Sequence, residues 1–261
     1  MLRVDNLELA NKEVNMQTFY MTDTGKIRDH NEDNVIILEN DNKEYLLAVA
    51  DGMGGHKAGE VASAIVINHV TEEFYGLDTI GDKDKAIDFL RNIVTEMNAK
   101  IFDYTKENPD SKGMGTTFVC AIKTKDYLLY GNIGDSSGYV IKNKKMHKVT
   151  KDHTLVNLLV STGELTPEEA KYHPRKNVLM RALGANNPID IDIFDVDNNI
   201  DGILLCSDGL TNMLTEDQIE KVLAEEKVAE DAVKKLINKA NARGGNDNIS
   251  VAYLKRESGE A

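Results

Sequence analysis

The sequence predicts an α+β fold in which antiparallel sheets are covered by helices. Apolar runs of strand length follow one another across short turns, and the amphipathic helical patterns fall in two separate blocks. Strict strand–helix alternation, the mark of a βαβ array, is absent. No internal repeat or low-complexity linker divides the chain, so a single domain is expected.

Residues 1–15 are polar and weakly patterned and read as an N-terminal extension; the domain is expected over 16–256, with a short tail at 257–261. MQTFYMT, from Met16, is β-rich, and the polar loop DTGKIRDHNED leads to a second strand, VIILE. EYLLAVA is a third strand and runs into the glycine-rich turn DGMGGHKAG. A helix begins near Ala58, with Ala58, Val61, Ala62, Ile65 and Val66 on one face. A second helical pattern runs through Ile87, Leu90, Ile93, Val94, Met97 and Ile101, and Pro109 lies just past its end. GTTFVCAI, YLLYGNI and SGYVIK are three strands at short spacing, which predicts antiparallel neighbours. Residues 152–184 mix helix and loop around Pro167 and Pro174. DGILLCS is another strand. Two amphipathic helices follow, TEDQIEKVLAEE and EDAVKKLINKANA, the first opened by Thr215 with Gln218 three residues on. GGNDN is a turn, and ISVAYLK is the last strand.

Composition narrows the partners. Hydrophobic residues make up 41% of the 261 positions, ample for a core. A formal net charge of −13 argues against nucleic acid or an anionic membrane as the main partner. Cys120 and Cys206 each sit inside an apolar run and read as buried free thiols in a reducing compartment. No apolar stretch approaches the ~20 residues of a membrane helix, and the N-terminus lacks a signal-peptide apolar region. A cytoplasmic monomer is expected.

The chemistry lies in scattered acids at predicted strand ends. Asp33 opens VIILE with Glu32 beside it, Asp51 ends LLAVA, Asp135 follows YGNIG, Asp208 ends ILLCS, and Asp247 precedes ISVAY. A carboxylate at the end of an apolar strand sits on the rim of a core, where like charges repel unless a cation joins them. Several such acids converging make an all-oxygen site for Mg²⁺ or Mn²⁺. Gly52, Gly134 and Gly209 stand beside three of these acids, where a missing Cβ lets the backbone turn sharply or approach an ion. Any one Asp-Gly pair is simply a common turn; five acids so placed favour a metal site. Arg28 shares the loop of Glu32 and Asp33, and a guanidinium grips phosphate through two parallel hydrogen bonds. Two cations holding a bridging hydroxide, with an arginine on the phosphate, form a workable hydrolytic centre.

The stretches TDTGKIRDHNEDN, VADGMGGHKAGEVAS, GMGTTF, GNIGDSS, LLCSDGLTNML and GGNDNIS occur in the order of the signature blocks of the type 2C family. The chain therefore resembles metal-dependent serine/threonine protein phosphatases, and DHTLVNLLVSTGELTPEEAKYHPRKNVLMRALG is similar to the flap of their bacterial branch. The resemblance implies a four-layer α-β-β-α sandwich, two antiparallel sheets flanked by helices. It gives Asp51 the role of bridging two metals, Gly52 a carbonyl ligand, and Asp208 and Asp247 the remaining direct ligands. Glu32 and Asp33 match acids that hold metal-bound waters, Asp135 an acid supporting a third metal with Asp208, and Arg28 the phosphate-binding arginine. Asn248 is implied to orient a neighbour. The resemblance further implies phosphorylated proteins as substrates, among them a bacterial serine/threonine kinase and that kinase's targets.

Two positions depart from the pattern. Met53 stands where many eukaryotic relatives carry a histidine general acid, so that a water on the ions would have to protonate the leaving oxygen. His56 is nearby at a different spacing and reads as a polar residue at a helix start. Ser137 replaces a usual arginine. Other motifs fail: DVDNNIDGILLCSD opens like a calcium loop but lacks its helices and its final Glu. LLCSDGLTN has Cys206 where a haloacid-dehalogenase nucleophile would need aspartate. The competing reading is a non-catalytic phosphoprotein-binding relative, which loss of an aspartate would mark; none of the matched positions is lost.

Overall fold

Side chains alternate along each strand, and this alternation builds two stacked sheets with three apolar layers between and around them. The computed structural model describes residues 15–54 and 58–257. One sheet has five strands: β1 (Met16–Asp23), β11 (Ile249–Arg256), β10 (Gly202–Cys206), β7 (Ser137–Lys142) and β8 (Lys145–Lys148), in that order. The other runs β2 (Asp33–Glu39), β3 (Tyr45–Met53), β5 (Phe118–Lys123), β6 (Leu128–Ile133) and β9 (Asp192–Val196). The short β4 (Gly115–Thr116) pairs with the far end of β3. Every pairing is antiparallel.

On β3, Tyr45, Leu47 and Val49 face the other sheet; together with Val119 and Ala121 of β5 they meet Ile203, Leu205, Ala252 and Leu254. Leu46, Ala48 and Ala50 face the opposite way, onto α1 (Ala58–Tyr75) and α2 (Lys83–Glu107). The five-stranded sheet turns Leu204, Cys206, Val251 and Tyr253 toward α6 (Glu216–Glu225) and α7 (Ala229–Ala242). The layers are thus helix, sheet, sheet, helix, as the resemblance implies. Two short helices, α3 (Leu155–Ser161) and α4 (Pro167–Tyr172), lie in the 152–184 segment. Helix α4 starts with a reciprocal cap: Thr166 N–H donates to Glu169 Oε2 at 2.8 Å, and Glu169 N–H to Thr166 Oγ1 at 3.3 Å. At α6 only the return half has hydrogen-bond geometry, Thr215 N–H to Gln218 Oε1 at 3.1 Å.

Two expectations change. Strands β6 and β7 are not neighbours; they belong to different sheets. The turn between them crosses the sandwich, and Gly134, at φ +106°, makes that possible because a Cβ there would lie 2.6 Å from Thr117 Cγ2. Asp51 does not end its strand: β3 continues through Gly52 to Met53, because β4 supplies a further partner. Strands β8 and β9 and the four-residue α5 (Asp208–Thr211) are additions to the sequence reading. Cys120 and Cys206 are free, buried, and packed in different layers, one under α1 and α2, the other under α6 and α7. Among the described residues no helix is long and apolar enough to cross a membrane.

Candidate metal centre

The space between the sheets is apolar along its length and acidic at one end. Asp33 and Asp51 are register partners across β2 and β3, both two residues beyond the Val35–Val49 level, and both follow the inward parity of that layer. Asp208 opens α5 just past β10, Asp247 precedes β11, and Asp135 sits in the turn that crosses between sheets. The fold therefore brings all five predicted aspartates to one rim.

Their electrostatics are those of crowded anions out of water. Burial, reinforced by Asp33, Asp208, Asp135 and Asp247, holds the Asp51 carboxyl well above the usual carboxylate range. Burial pushes Asp33 up to about 7; the Ser207 and Ser250 hydroxyls pull it back, while Asp208 and Asp247 add to the rise. Asp135 is pushed up to about 7 by burial, then by Asp208 and Asp152. Asp208 is raised by burial and by Asp247, against the pull of Asn212, whose Nδ2 donates to Asp208 Oδ2 at 3.0 Å. Glu32 is raised by burial, with Arg28 opposing.

These residues fit divalent cations. Asp33 is 4% exposed, and its Oδ2 is buried with no hydrogen-bond partner. Gly52 is confined by backbone, since a Cβ there would fall 2.2 Å from Gly59 O and 2.5 Å from Glu32 O. Its backbone is thus drawn between α1 and the Glu32 loop by close approach rather than by a sharp turn. Gly52 N–H also donates to Glu32 O at 3.1 Å.

The loop is tied by Asn248. Its Oδ1 accepts from Glu32 N–H at 2.9 Å, and its Nδ2 donates to Thr24 O and His30 O, each at 2.9 Å. Arg28 projects half-exposed over the rim and donates to Asp247 Oδ2 at 2.9 Å. Asp51 is held at its backbone: its N–H donates to Thr117 Oγ1 and its carbonyl accepts from Thr117 N–H, both at 2.9 Å.

Several supporting residues escaped the sequence reading. His153 accepts from Gly134 N–H at Nδ1, 3.1 Å, so its Nε2 carries the proton toward Asp192 Oδ2 at 3.1 Å. The neutral ring thereby braces the turn that carries Asp135, and burial lowers its pKa. Thr117 and Ser136 share a buried hydrogen bond of 2.8 Å beneath the same turn. Each lies in a stretch quoted above, but the motif does not mark its role, which comes from contacts across the fold. His56 lies outside the described residues. Among the described residues, the one set of potential ligand atoms within 4.8 Å of one another is elsewhere, at His69, Glu73 and Glu96 on α1 and α2. No three of the rim acids come that close together, although Asp51 and Asp208 are in direct contact.

Comparison with known proteins identifies the family and the fold. A family model described as protein phosphatase 2C matches residues 26–250. The serine/threonine phosphatase stp of Listeria monocytogenes serovar 1/2a is 40% identical over 243 residues, covering 93% of this chain and 96% of its own. Protein phosphatase PhpP of Streptococcus pneumoniae is 33% identical over 249 residues, 94% of this chain and all of its own. The S. agalactiae serine/threonine phosphatase structure superposes with a TM-score of 0.88 at 36% identity, over 93% of this chain and 100% of that one. The Mycobacterium tuberculosis phosphatase PstP/Ppp gives 0.79 at 34% identity, over 93% and 99%. The chain belongs to the protein phosphatase 2C family and is a serine/threonine phosphatase.

Proposed function

We propose that the rim is a divalent-metal centre that hydrolyses phosphoserine and phosphothreonine in proteins. The observation that carries this is the set of buried, mutually repelling aspartates with an orphaned oxygen on Asp33. Asp51, the Gly52 carbonyl, Asp208 and Asp247 would hold two ions of Mn²⁺ or Mg²⁺, and Asp135 with Asp208 a third. Glu32 and Asp33 would act through water. When bound, such ions supply Lewis acidity and a water of lowered pKa.

The chain's own residues do the rest. Arg28 is the phosphate anchor: half-exposed, its guanidinium can turn from Asp247 to take two phosphoryl oxygens in parallel. Asn248 fixes the loop from which Arg28 and Glu32 project. Met53, the last residue of β3, has no proton to give the leaving serine oxygen. By family resemblance the substrates are the targets of a bacterial serine/threonine kinase, and the kinase itself.

Phosphopeptide hydrolysis is the test, with Mn²⁺, with chelator, and with Asp51→Asn. Chelator should abolish turnover and the substitution should lower kcat by ~10³-fold or more, several kcal/mol of transition-state stabilisation. Turnover that survives either change overturns the metal mechanism. Phosphopeptide binding without turnover in the Mn²⁺-loaded wild-type protein marks a binding relative instead.

A further inference from the structure

The inter-sheet space has a second end, opposite the acids, where the inward-facing charges are cationic and the carboxylates stand on the lip. Tyr45 and Lys123 are register partners at the start of β3 and the end of β5, and both share the inward parity of Leu47 and Ala121. Arg256 has the same parity on β11, two residues beyond Leu254. Here the sheets part over a cavity of about 940 Å³ lined by these three residues and Asn198. That volume suits a ligand the size of a nucleotide or a sugar phosphate.

Lys123 is only 8% exposed. Its Nζ donates to Thr124 O at 2.6 Å, one of three N–H groups it can offer. Arg256 Nε is buried without a partner. Neither cation forms an ion pair with any described residue. Four carboxylates stand on the lip: Glu39 is paired with Lys43 at 2.6 Å and Asp197 with Lys142 at 2.5 Å, while Asp126 and Glu257 are exposed. Burial and then the neighbouring Arg256 charge lower the Lys123 pKa, against the pull of Asp126. A buried lysine and a buried guanidinium Nε without an ion pair are unfavourable unless an anion joins them. Asn198 refines the ligand. Its Nδ2 is committed to Lys125 O at 2.9 Å, which fixes the amide, and its Oδ1 is left buried without a donor. An acceptor beside two cations calls for an anion that also carries a hydroxyl.

We propose that this pole binds a hydroxyl-bearing phosphate monoester, its phosphate between Lys123 and Arg256 and a hydroxyl on Asn198 Oδ1. The site is independent of the chemistry at the acidic rim. The test is amide NMR shift mapping of the Mg²⁺-loaded protein with adenosine 5′-monophosphate, inorganic phosphate and adenosine. Each is titrated to ~10 mM, enough to saturate a millimolar site.

The expected result is saturable shifts at residues 43–45, 123–127, 197–199 and 255–257 with the monophosphate and none with adenosine. Inorganic phosphate should shift the same amides ~10-fold more weakly, since it lacks the hydroxyl-bearing portion. Arg256→Gln, at a partly buried strand end, should weaken binding by ~10-fold or more and leave p-nitrophenyl phosphate turnover unchanged. Lys123→Met should do the same and also raise the ligand-free melting temperature, because it removes an uncompensated buried charge. Shifts confined to the loops of Arg28, Asp208 and Asp247, shifts untouched by either substitution, or none at all overturn the proposal. Equal affinity for inorganic phosphate and the monophosphate overturns the role given to Asn198 and leaves a free-phosphate site.

Discussion

Asn248 is the residue on which the rim's geometry turns. It is 5% exposed and spends its whole amide on three backbone groups of the 24–32 loop. Asn248→Ala should lower stability by about 2 kcal/mol through unpaired buried groups. The displaced loop should lower kcat 10–100-fold, roughly the cost of losing an outer partner of a metal site. Thermal melts and steady-state kinetics on one preparation check both; unchanged kcat at lowered stability would leave Asn248 a purely structural tie. Arg28 makes a different prediction. Arg28→Ala should cut kcat/KM for phosphopeptides by ~100-fold, and Arg28→Lys should recover little of it, because an ammonium cannot offer the parallel pair of donors. Full rescue by lysine would mean that charge alone suffices.

At the scale of elements, strands with long apolar runs were legible from the sequence, because burial on both faces leaves an uninterrupted signature. Such are β3, β5 and β10, each inside an apolar run. The edge strands β8, KMHK, and β9, DIFDV, were not, since half-exposed edges mix polar and apolar residues. The β6–β7 pair was misplaced for another reason: short spacing signals adjacency, and only the tertiary crossing at Gly134 shows the change of sheet. The candidate site was legible as residue types at strand ends. Its supports, His153, Thr117, Ser207 and Ser250, were not, because nothing local marks a residue that acts through contacts tens of positions away. In the 152–184 segment, α4 has one buried residue, Ala170, and depends on its reciprocal cap. Thr166→Ala should therefore destabilise that helix by about 1 kcal/mol. Hydrogen exchange should show faster exchange of the amides at 169–172 while the β3 amides stay protected; uniform acceleration would mean that α4 opens only with the whole domain.

At the scale of the whole molecule, one apolar layer separates an acidic end from one whose inward-facing charges are cationic, and pH should reveal the acidic end first. Asp33 and Asp135, each pushed to about 7 by burial, bind more protons folded than unfolded between about pH 4 and 7. Their contribution is thus present in full at low pH and lost as pH rises through about 7. His153 runs the other way, its lowered pKa favouring the folded state above the ordinary histidine range, but it is one group against several. Metal-free protein should accordingly melt higher at pH 5.5 than at pH 8, and Mn²⁺ at pH 8 should close the gap. A melting temperature flat across that range, with or without Mn²⁺, would show that the acids do not repel as their burial implies.

Strand β11 is late in the chain yet lies between β1 and β10. A nascent chain on the ribosome can form hairpins such as β2–β3 and β5–β6 early, but the five-stranded sheet keeps a gap until residues 249–256 clear the exit tunnel. Asp247 and Asn248 arrive with that strand. Translation order itself thus withholds a finished hydrolytic centre until that strand is free to pair.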